Sequence, residues 1–284
     1  MFDFLRTRLR QGMRTSPFPK GATDFPERFR GLPVLQPSHP LVSGLVSDAP
    51  PSALLTTTED GTPALDVGAC LFSPEEAGTY AAVGTVAFSR DYRMASSTRR
   101  GLVSPTGEVE LAHALEERTQ RLFGRSLRLR SLVAGSCGGC EAELTALGNV
   151  VFDLSRFGVQ FVASPRHADG VVITGAVNRN MRIALEKTLE ATPAPKLVIA
   201  VGACAIAGGP FRGSPEVAEG VPPGIHVDLY IPGCPPHPLT ILDGLLRLLD
   251  RLPAERLASV RAPASAGARA PAQRLDGREE APTS

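Results

Sequence analysis

Four of the five cysteines in this 284-residue chain stand between residues 137 and 234, each where an aliphatic run breaks into glycine or proline. They are Cys137 and Cys140 in Gly-Ser-Cys-Gly-Gly-Cys, Cys204 in Val-Gly-Ala-Cys-Ala, and Cys234 in Pro-Gly-Cys-Pro-Pro. Four thiolates are the usual ligand complement of a [4Fe–4S] cluster, and we read the set that way. The two-residue spacing lets the Cys137 and Cys140 sulfurs reach a common centre. The glycines between them allow turns closed to other residues and a close approach of backbone N–H groups to sulfide. Pro232, Pro235 and Pro236 stiffen the last loop. Other chemistries use the same residue types. A lone C-x₂-C fits zinc or a redox dithiol equally well. Zinc more often shows a second close pair, and a dithiol leaves Cys204 and Cys234 without a role. Disulfides and buried structural thiols also remain open at this point.

Such a site needs elements that bring three distant loops together. From Leu127 onward, short aliphatic strands alternate with amphipathic helices. Strands are expected at Leu129–Ala134, Val159–Ala163, Gly170–Thr174, Leu197–Val201 and His226–Ile231. Helices are expected at Glu141–Arg156, Asn178–Ala191 and Pro238–Arg251, the last with Pro238 in its first turn. This alternation predicts an α/β unit over 127–252, a mainly parallel sheet with helices on both faces. Ligands of such sheets gather at the carboxyl ends of the strands. Each cysteine loop directly follows an expected strand, so the three loops should converge on one edge. A helix starting near Glu141 would aim its positive end at an anionic cluster.

Composition narrows the function classes. A net charge of +1 gives no footprint for bulk nucleic-acid binding. Hydrophobic residues at 43% supply a core, and 5% aromatics without Trp make it an aliphatic one. An odd cysteine count and no signal-type apolar core at the start point to a cytosolic, reducing location, where clustered cysteines favour metal or redox chemistry. No stretch carries the roughly 18 apolar residues that span a bilayer. Phe2, Leu5, Leu9 and Met13 recur at near-helical spacing among Arg6, Arg8, Arg10 and Arg14. This predicts a short helix over 2–13 within an amphipathic or extended segment 1–29, residues 1–14 being a candidate for direct membrane-surface contact, with a docked or frayed terminus as the bland alternative. Residues 15–105 are rich in Pro, Ser, Thr and Gly, with strand-like pieces at 64–67 and 84–88. The segment Glu108–Phe123 reads as a linking helix within 106–126, and 253–284 as a low-complexity, disordered tail. His237 reads as a surface histidine rather than a ligand.

Two resemblances sharpen this. Cys137-Gly-Gly-Cys-Glu-Ala-Glu, Ser164-Pro-Arg-His-Ala-Asp, Thr174-Gly, Gly202-Ala-Cys-Ala and Pro232-Gly-Cys-Pro-Pro resemble the small subunit of group 4 [NiFe]-hydrogenases and the 20 kDa, B-type subunit of complex I. That likeness implies a flavodoxin-like fold and one [4Fe–4S] cluster on Cys137, Cys140, Cys204 and Cys234, beside a large subunit. It also implies that Glu143 lies near the large-subunit interface, and that Arg166 and His167 lie near the cluster or pair with Asp169. The complex I version has adjacent cysteines at the first site. Two intervening glycines here favour the hydrogenase branch.

Upstream, Arg30-Gly-Leu-Pro-Val-Leu-Gln-Pro, Leu65-Asp-Val-Gly-Ala-Cys-Leu-Phe and Phe88-Ser-Arg-Asp-Tyr resemble the framework of a two-cluster ferredoxin subunit of formate hydrogenlyase and complex I. At the ligand spacing of that family stand Pro40, Ser43, Val46 and Pro50, then Cys70, Ser73, Glu76 and Tyr80. One thiol cannot hold a cube, so 30–105 is expected to be a small ferredoxin-like α+β domain without clusters, and Cys70 a relic or a small buried hydrophobe. The resemblance implies a non-catalytic electron-transfer subunit of a membrane-associated, formate-hydrogenlyase-like complex. Its partners would be a hydrogenase-type or 49 kDa-like large subunit and membrane-arm subunits, on the cytoplasmic face of the inner membrane. The alternatives are a B-type subunit of a complex I-like quinone oxidoreductase, or a structural or assembly subunit with a cluster that is not a wire.

Overall fold

A computed structural model of the chain describes residues 2–21, 25–36, 54–58, 60–115, 122–123 and 126–252. The expected tail at 253–284 and the first run of ferredoxin positions, Pro40 to Pro50, lie outside them. The chain opens with helix α1 (Phe2–Gln11), none of whose residues is buried. Strand β1 (Pro33–Leu35) follows, then β2 (Leu55–Thr57), β3 (Pro63–Asp66), helix α2 (Pro74–Val83), β4 (Val86–Phe88) and β5 (Val103–Ser104). β1 pairs antiparallel with β4, and β2, β3 and β5 form a three-stranded antiparallel sheet. The Ser73 hydroxyl accepts the Glu76 N–H at 3.0 Å, which starts α2, and Glu75 and Glu76 complement the positive end of the helix.

The second half builds β6 (Leu127–Val133), α3 (Gly139–Ala146), β7 (Val159–Phe161), β8 (Gly170–Thr174), α4 (Arg179–Ala191), β9 (Leu197–Val201), α5 (Ala203–Ala207), β10 (Leu229–Ile231) and α6 (Pro238–Leu248). The sheet is five-stranded and wholly parallel in the order β10-β9-β8-β6-β7. Counted by sequence this is 2-1-3-4-5, one of the two common doubly wound orders, with the switch point between β6 and β8. Every residue of β8 and β9 is buried, as uninterrupted Val/Ile-rich runs demand of strands covered on both faces. One face packs Val172, Ile199 and Leu129 under α3 and α6. The other packs Val171, Ile173 and Val198 against Leu185 of α4 and Ile206 of α5.

Three expectations are corrected. The linking helix is absent over 108–115. There the N–H of Glu110 reaches Gly101 O, that of Ala112 reaches Ala95 O, and that of Leu115 reaches Leu248 O. These N–H groups are spent on distant stretches of chain, so tertiary pairing overrides a local helical period. Residues 116–121 of that segment lie outside the described ones. The helix expected at Glu141–Arg156 splits. α3 stops at Ala146, and the Asn149 side-chain oxygen accepts the N–H groups of Val151 and Phe152 at 2.8 and 3.1 Å, closing a turn before a 3₁₀ segment at Leu154–Phe157. The last strand is shorter than expected, because the Asp228 carboxylate takes the Val198 N–H at 2.8 Å and holds the approach to β10.

The two halves share their cores. Ala69 and Leu102 pack with the sheet face under α4, and Phe18, Phe25, Tyr92 and Ala95 with the other. Ser96 forms an antiparallel bridge with Tyr230, adding to the edge beside β10. All eleven residues of α6 are buried between sheet and N-terminal segments. Gly244 permits this approach, since a Cβ there would stand 2.7 Å from the Ala95 methyl. The buried Asp243 and Arg247 side chains pair at 2.7 Å within the same helix.

Candidate metal centre

Register places the cysteine loops at one level. Val133, Thr174, Val201 and Ile231 are successive partners across β6, β8, β9 and β10. Cys137 and Cys140 follow β6, Cys204 follows β9 and Cys234 follows β10, so all four leave the same carboxyl edge. Backbone bonds tie the loops: Gly202 N–H to Ile231 O and Ala203 N–H to Gly233 O, both 2.9 Å. Gly202 has φ +89°, and a Cβ there would lie 2.5 Å from the Cys140 sulfur. Only glycine lets the β9 loop pass this thiol. Cys140 is the second residue of α3 and Cys204 the second of α5. Cys137 is exposed, Cys234 half-buried, and Cys140 and Cys204 buried, all with free thiols.

Electrostatics separates the remaining chemistries. Burial pushes the Cys140 thiol far up, and Glu141, Cys204, Cys234 and Cys137 push it the same way. Burial likewise raises Cys204 to about 11, with Cys234, Cys137 and Glu141 adding to the rise. Cys234 is raised by burial, then by Cys137 and Glu76. Cys140 and Cys204 thus feel other thiols of the set, Cys234 feels Cys137, and no basic side chain contributes to these three shifts. A reactive dithiol needs the opposite, a thiolate stabilised by a cation or a helix end. Three desolvated thiols, each raised further by other thiols of the set, fit a group that itself supplies positive charge and displaces their protons. Among the described residues no group of three or more Cys, His, Asp or Glu is close enough for a single ion.

The comparisons with known proteins bear on this edge. The family described as "NADH ubiquinone oxidoreductase, 20 Kd subunit" matches residues 137–248, from the first of these cysteines to the end of α6. The probable membrane-bound hydrogenase subunit mbhJ of Pyrococcus furiosus is 41% identical over 141 residues, 49% of this chain and 84% of that protein. The chain belongs to this 20 Kd subunit family. The B-type subunit of the NADH-quinone oxidoreductase of Citrifermentans bemidjiense is 45% identical over 117 residues, 41% of this chain and 68% of its own length. Among solved structures, a chain of the membrane-bound sulfane sulfur reductase, an archaeal respiratory membrane complex, aligns at 34% identity, covering 48% of this chain and 75% of that one, with a TM-score of 0.42. Members of this family are subunits of oxidoreductase complexes, and the match leaves the N-terminal region unassigned.

In this 20 Kd-type subunit, Glu143 lines a small pocket of about 230 Å³ with Arg28, Arg30, Phe72, Cys234 and His237, and burial raises its carboxyl. Glu143 and the Cys234 loop are therefore brought together. Arg166 and His167 are not. They are exposed in a 3₁₀ turn preceding Gly170, which pairs with Leu129 near the start of β6, so they open onto the amino end of the strands. Asp169 pairs with Arg128 at 3.3 Å and accepts the Arg128 N–H at 2.7 Å, which corrects the expected pairing with Arg166 or His167.

His237 is also corrected. Its ring sits among Phe25, Phe29 and Phe152 with centroids 5.1, 5.4 and 6.0 Å away. Its Nδ1 accepts the Leu239 N–H at 3.1 Å, capping α6, and burial lowers its pKa to about 4. The aromatic partners come from segments distant in sequence, which hid this from sequence reading.

Sequence reading also passed over Glu141. Its Oε1 accepts from the Ser136 hydroxyl at 2.8 Å and from the Thr174 hydroxyl, bracing the first cysteine loop against the end of β8, while its buried Oε2 has no partner. It faces a largely apolar cavity of about 520 Å³ with Leu144, Leu154 and Phe161. Its place directly after Cys140, in the first turn of α3, was the available signal.

The second run of ferredoxin positions has a different outcome. Cys70, Glu76 and Tyr80 are buried in one small core with Leu54, Leu65 and Val86. The Cys70 thiol approaches Glu76 Oε2 at 3.5 Å, and the same oxygen accepts the Leu71 N–H at 3.1 Å. Burial raises this thiol, and the Glu76 charge raises it further.

Proposed function

We propose that the chain is the electron-transfer subunit of a membrane-associated, formate-hydrogenlyase-like hydrogenase complex, with one [4Fe–4S] cluster on Cys137, Cys140, Cys204 and Cys234. One observation carries this reading. Four thiols meet on one sheet edge, and three of them, Cys140, Cys204 and Cys234, are raised by burial and by other thiols of the set, with no basic side chain among the causes. The family typically holds a [4Fe–4S] cluster. Such a cluster supplies one-electron transfer and no bond-making. The chain's own part is positional. Gly202 lets the β9 loop pass Cys140, Glu141 braces the Cys137 loop, and His237 fixes the start of α6 behind Cys234. The exposed Cys137 loop is the face offered to a large subunit, with the Glu143 pocket beside the Cys234 loop.

The spacing Cys137-Gly-Gly-Cys140 and the hydrogenase subunit with 84% of its length covered favour the hydrogenase branch. A quinone-reducing complex is the second reading, supported by the 45% identity to a B-type subunit of an NADH-quinone oxidoreductase. We further read the sheet as flavodoxin-like and 30–105 as a ferredoxin-like unit without clusters. Cys70, Glu76 and Tyr80 fill the space that ligands of such a unit would line.

Iron and sulfide analysis of anaerobically purified chain tests the cluster, with about four irons per chain expected. Zinc in place of iron overturns the reading, and eight or more irons overturns the empty ferredoxin unit. A redox titration by electron paramagnetic resonance tests the role. A centre that no accessible potential reduces is structural rather than a relay.

A further inference from the structure

The helix α1 is the one described α-helix that buries nothing. Phe2, Leu5 and Leu9 are 81%, 54% and 83% exposed, and Met13 just beyond the helix is 87% exposed. At about 100° per residue, Phe2, Leu5 and Leu9 fall on one narrow stripe of the helix. Arg6 and Arg10 border that stripe on one side and Arg8 on the other, with Asp3 the lone acid. A ten-residue helix without tertiary packing is marginal in water, and among the described residues nothing covers it. Its position is nonetheless fixed. Ser16 N–H bonds Val151 O at 2.8 Å, and Arg156 donates to the carbonyls of Ser16 and Phe18 at 3.0 and 2.9 Å. Phe18 is buried against Tyr92 and Phe157. Only residues 12–15 separate α1 from this anchor, a reach of about 18 Å at most between Gln11 and Ser16.

We propose that α1 docks on an anionic lipid surface, its Phe2–Leu5–Leu9 stripe sunk at the headgroup boundary and Arg6, Arg8 and Arg10 on the phosphates. Charge complementarity selects this occupant. Cations on both flanks of a narrow apolar stripe can all reach headgroups when the helix lies flat, their aliphatic stems running along the apolar boundary. A protein groove or a second copy of this chain would have to carry an acidic rim on both sides of an apolar slot to match the same pattern, whereas an anionic lipid surface supplies it everywhere. The proposal stands on α1 alone and is independent of the cluster.

The test is co-sedimentation of the full chain with vesicles of phosphatidylcholine alone and of phosphatidylcholine mixed with phosphatidylglycerol. Binding to the mixed vesicles only, with a gain of helical circular dichroism, is expected. The triple change Arg6→Gln/Arg8→Gln/Arg10→Gln should weaken it by about a hundredfold, given the attraction of each basic residue to an anionic leaflet. The double change Leu5→Ser/Leu9→Ser should weaken it at least about tenfold. Neither touches the core, so thermal unfolding stays unchanged and serves as the folding control. Equal binding to both vesicle types, or binding undiminished in either variant, overturns the proposal. So does self-association in the absence of lipid that the leucine variant abolishes.

Discussion

Two regions of this chain place residues at cluster-like intervals, and they end differently. At the sheet edge, Cys137, Cys140, Cys204 and Cys234 come from three loops whose strands are in register, and the thiols face one another. In the N-terminal half, Cys70, Ser73, Glu76 and Tyr80 come from one continuous segment. There Ser73 caps α2, Glu76 holds the loop backbone, and Cys70 and Tyr80 fill a core. The first arrangement gathers four thiols, three of them raised by burial and by other thiols of the set. The second engages its residues in hydrogen bonds and packing of their own. A binding site is thus recognised by what its groups lack as well as by their spacing.

The largest expected effect tests this contrast directly. Cys204→Ser should reduce the iron of the purified chain from about four per molecule to near none, whereas Cys70→Ser should leave it unchanged. Iron loss in both variants would merge the two regions into one site. Next in size, Gly202→Ala places a Cβ 2.5 Å from the Cys140 sulfur at φ +89°. Positive φ and overlap together should cost about 2–3 kcal/mol and lower iron occupancy, read by denaturant unfolding and metal analysis.

A pH effect follows from His237, whose pKa falls to about 4 in the folded chain. The unfolded chain binds a proton near pH 6.5 that the folded one refuses. Stability should therefore be full above about pH 6.5 and decline down to about pH 4. The loss is on the order of 1–2 kcal/mol, discounted because the residue is only half-buried. His237→Phe should flatten that part of the profile. The smallest effect lies in the other region. Gly78 of α2 has open space at its Cβ position, so Gly78→Ala should stabilise by about 0.5–1 kcal/mol without changing the iron content. A loss of iron there would show that α2 supports the metal edge.

Much of the site was legible because its signals are local. The sheet strands begin or end within a few residues of the hydrophobic runs, and Gly170–Thr174 and Leu197–Val201 coincide with them. Asn178, the first residue of an expected helix, caps α4 by accepting the Met181 N–H. What failed depended on distant partners. The 108–115 segment carries helical spacing but bonds to Ala95, Gly101 and Leu248. His237 looks solvent-directed until Phe25, Phe29 and Phe152 close around it.

The amino-acid sequence by itself determined that four thiols would follow three strands, since glycine and proline punctuation and aliphatic periodicity are properties of neighbouring residues. Only the tertiary structure decided that Val133, Val201 and Ile231 end at one level, that Glu141 braces the first loop, and that α6 is buried on every side. Those outcomes depend on strand register and on the N-terminal segments folding over the sheet, and no window of adjacent residues encodes either.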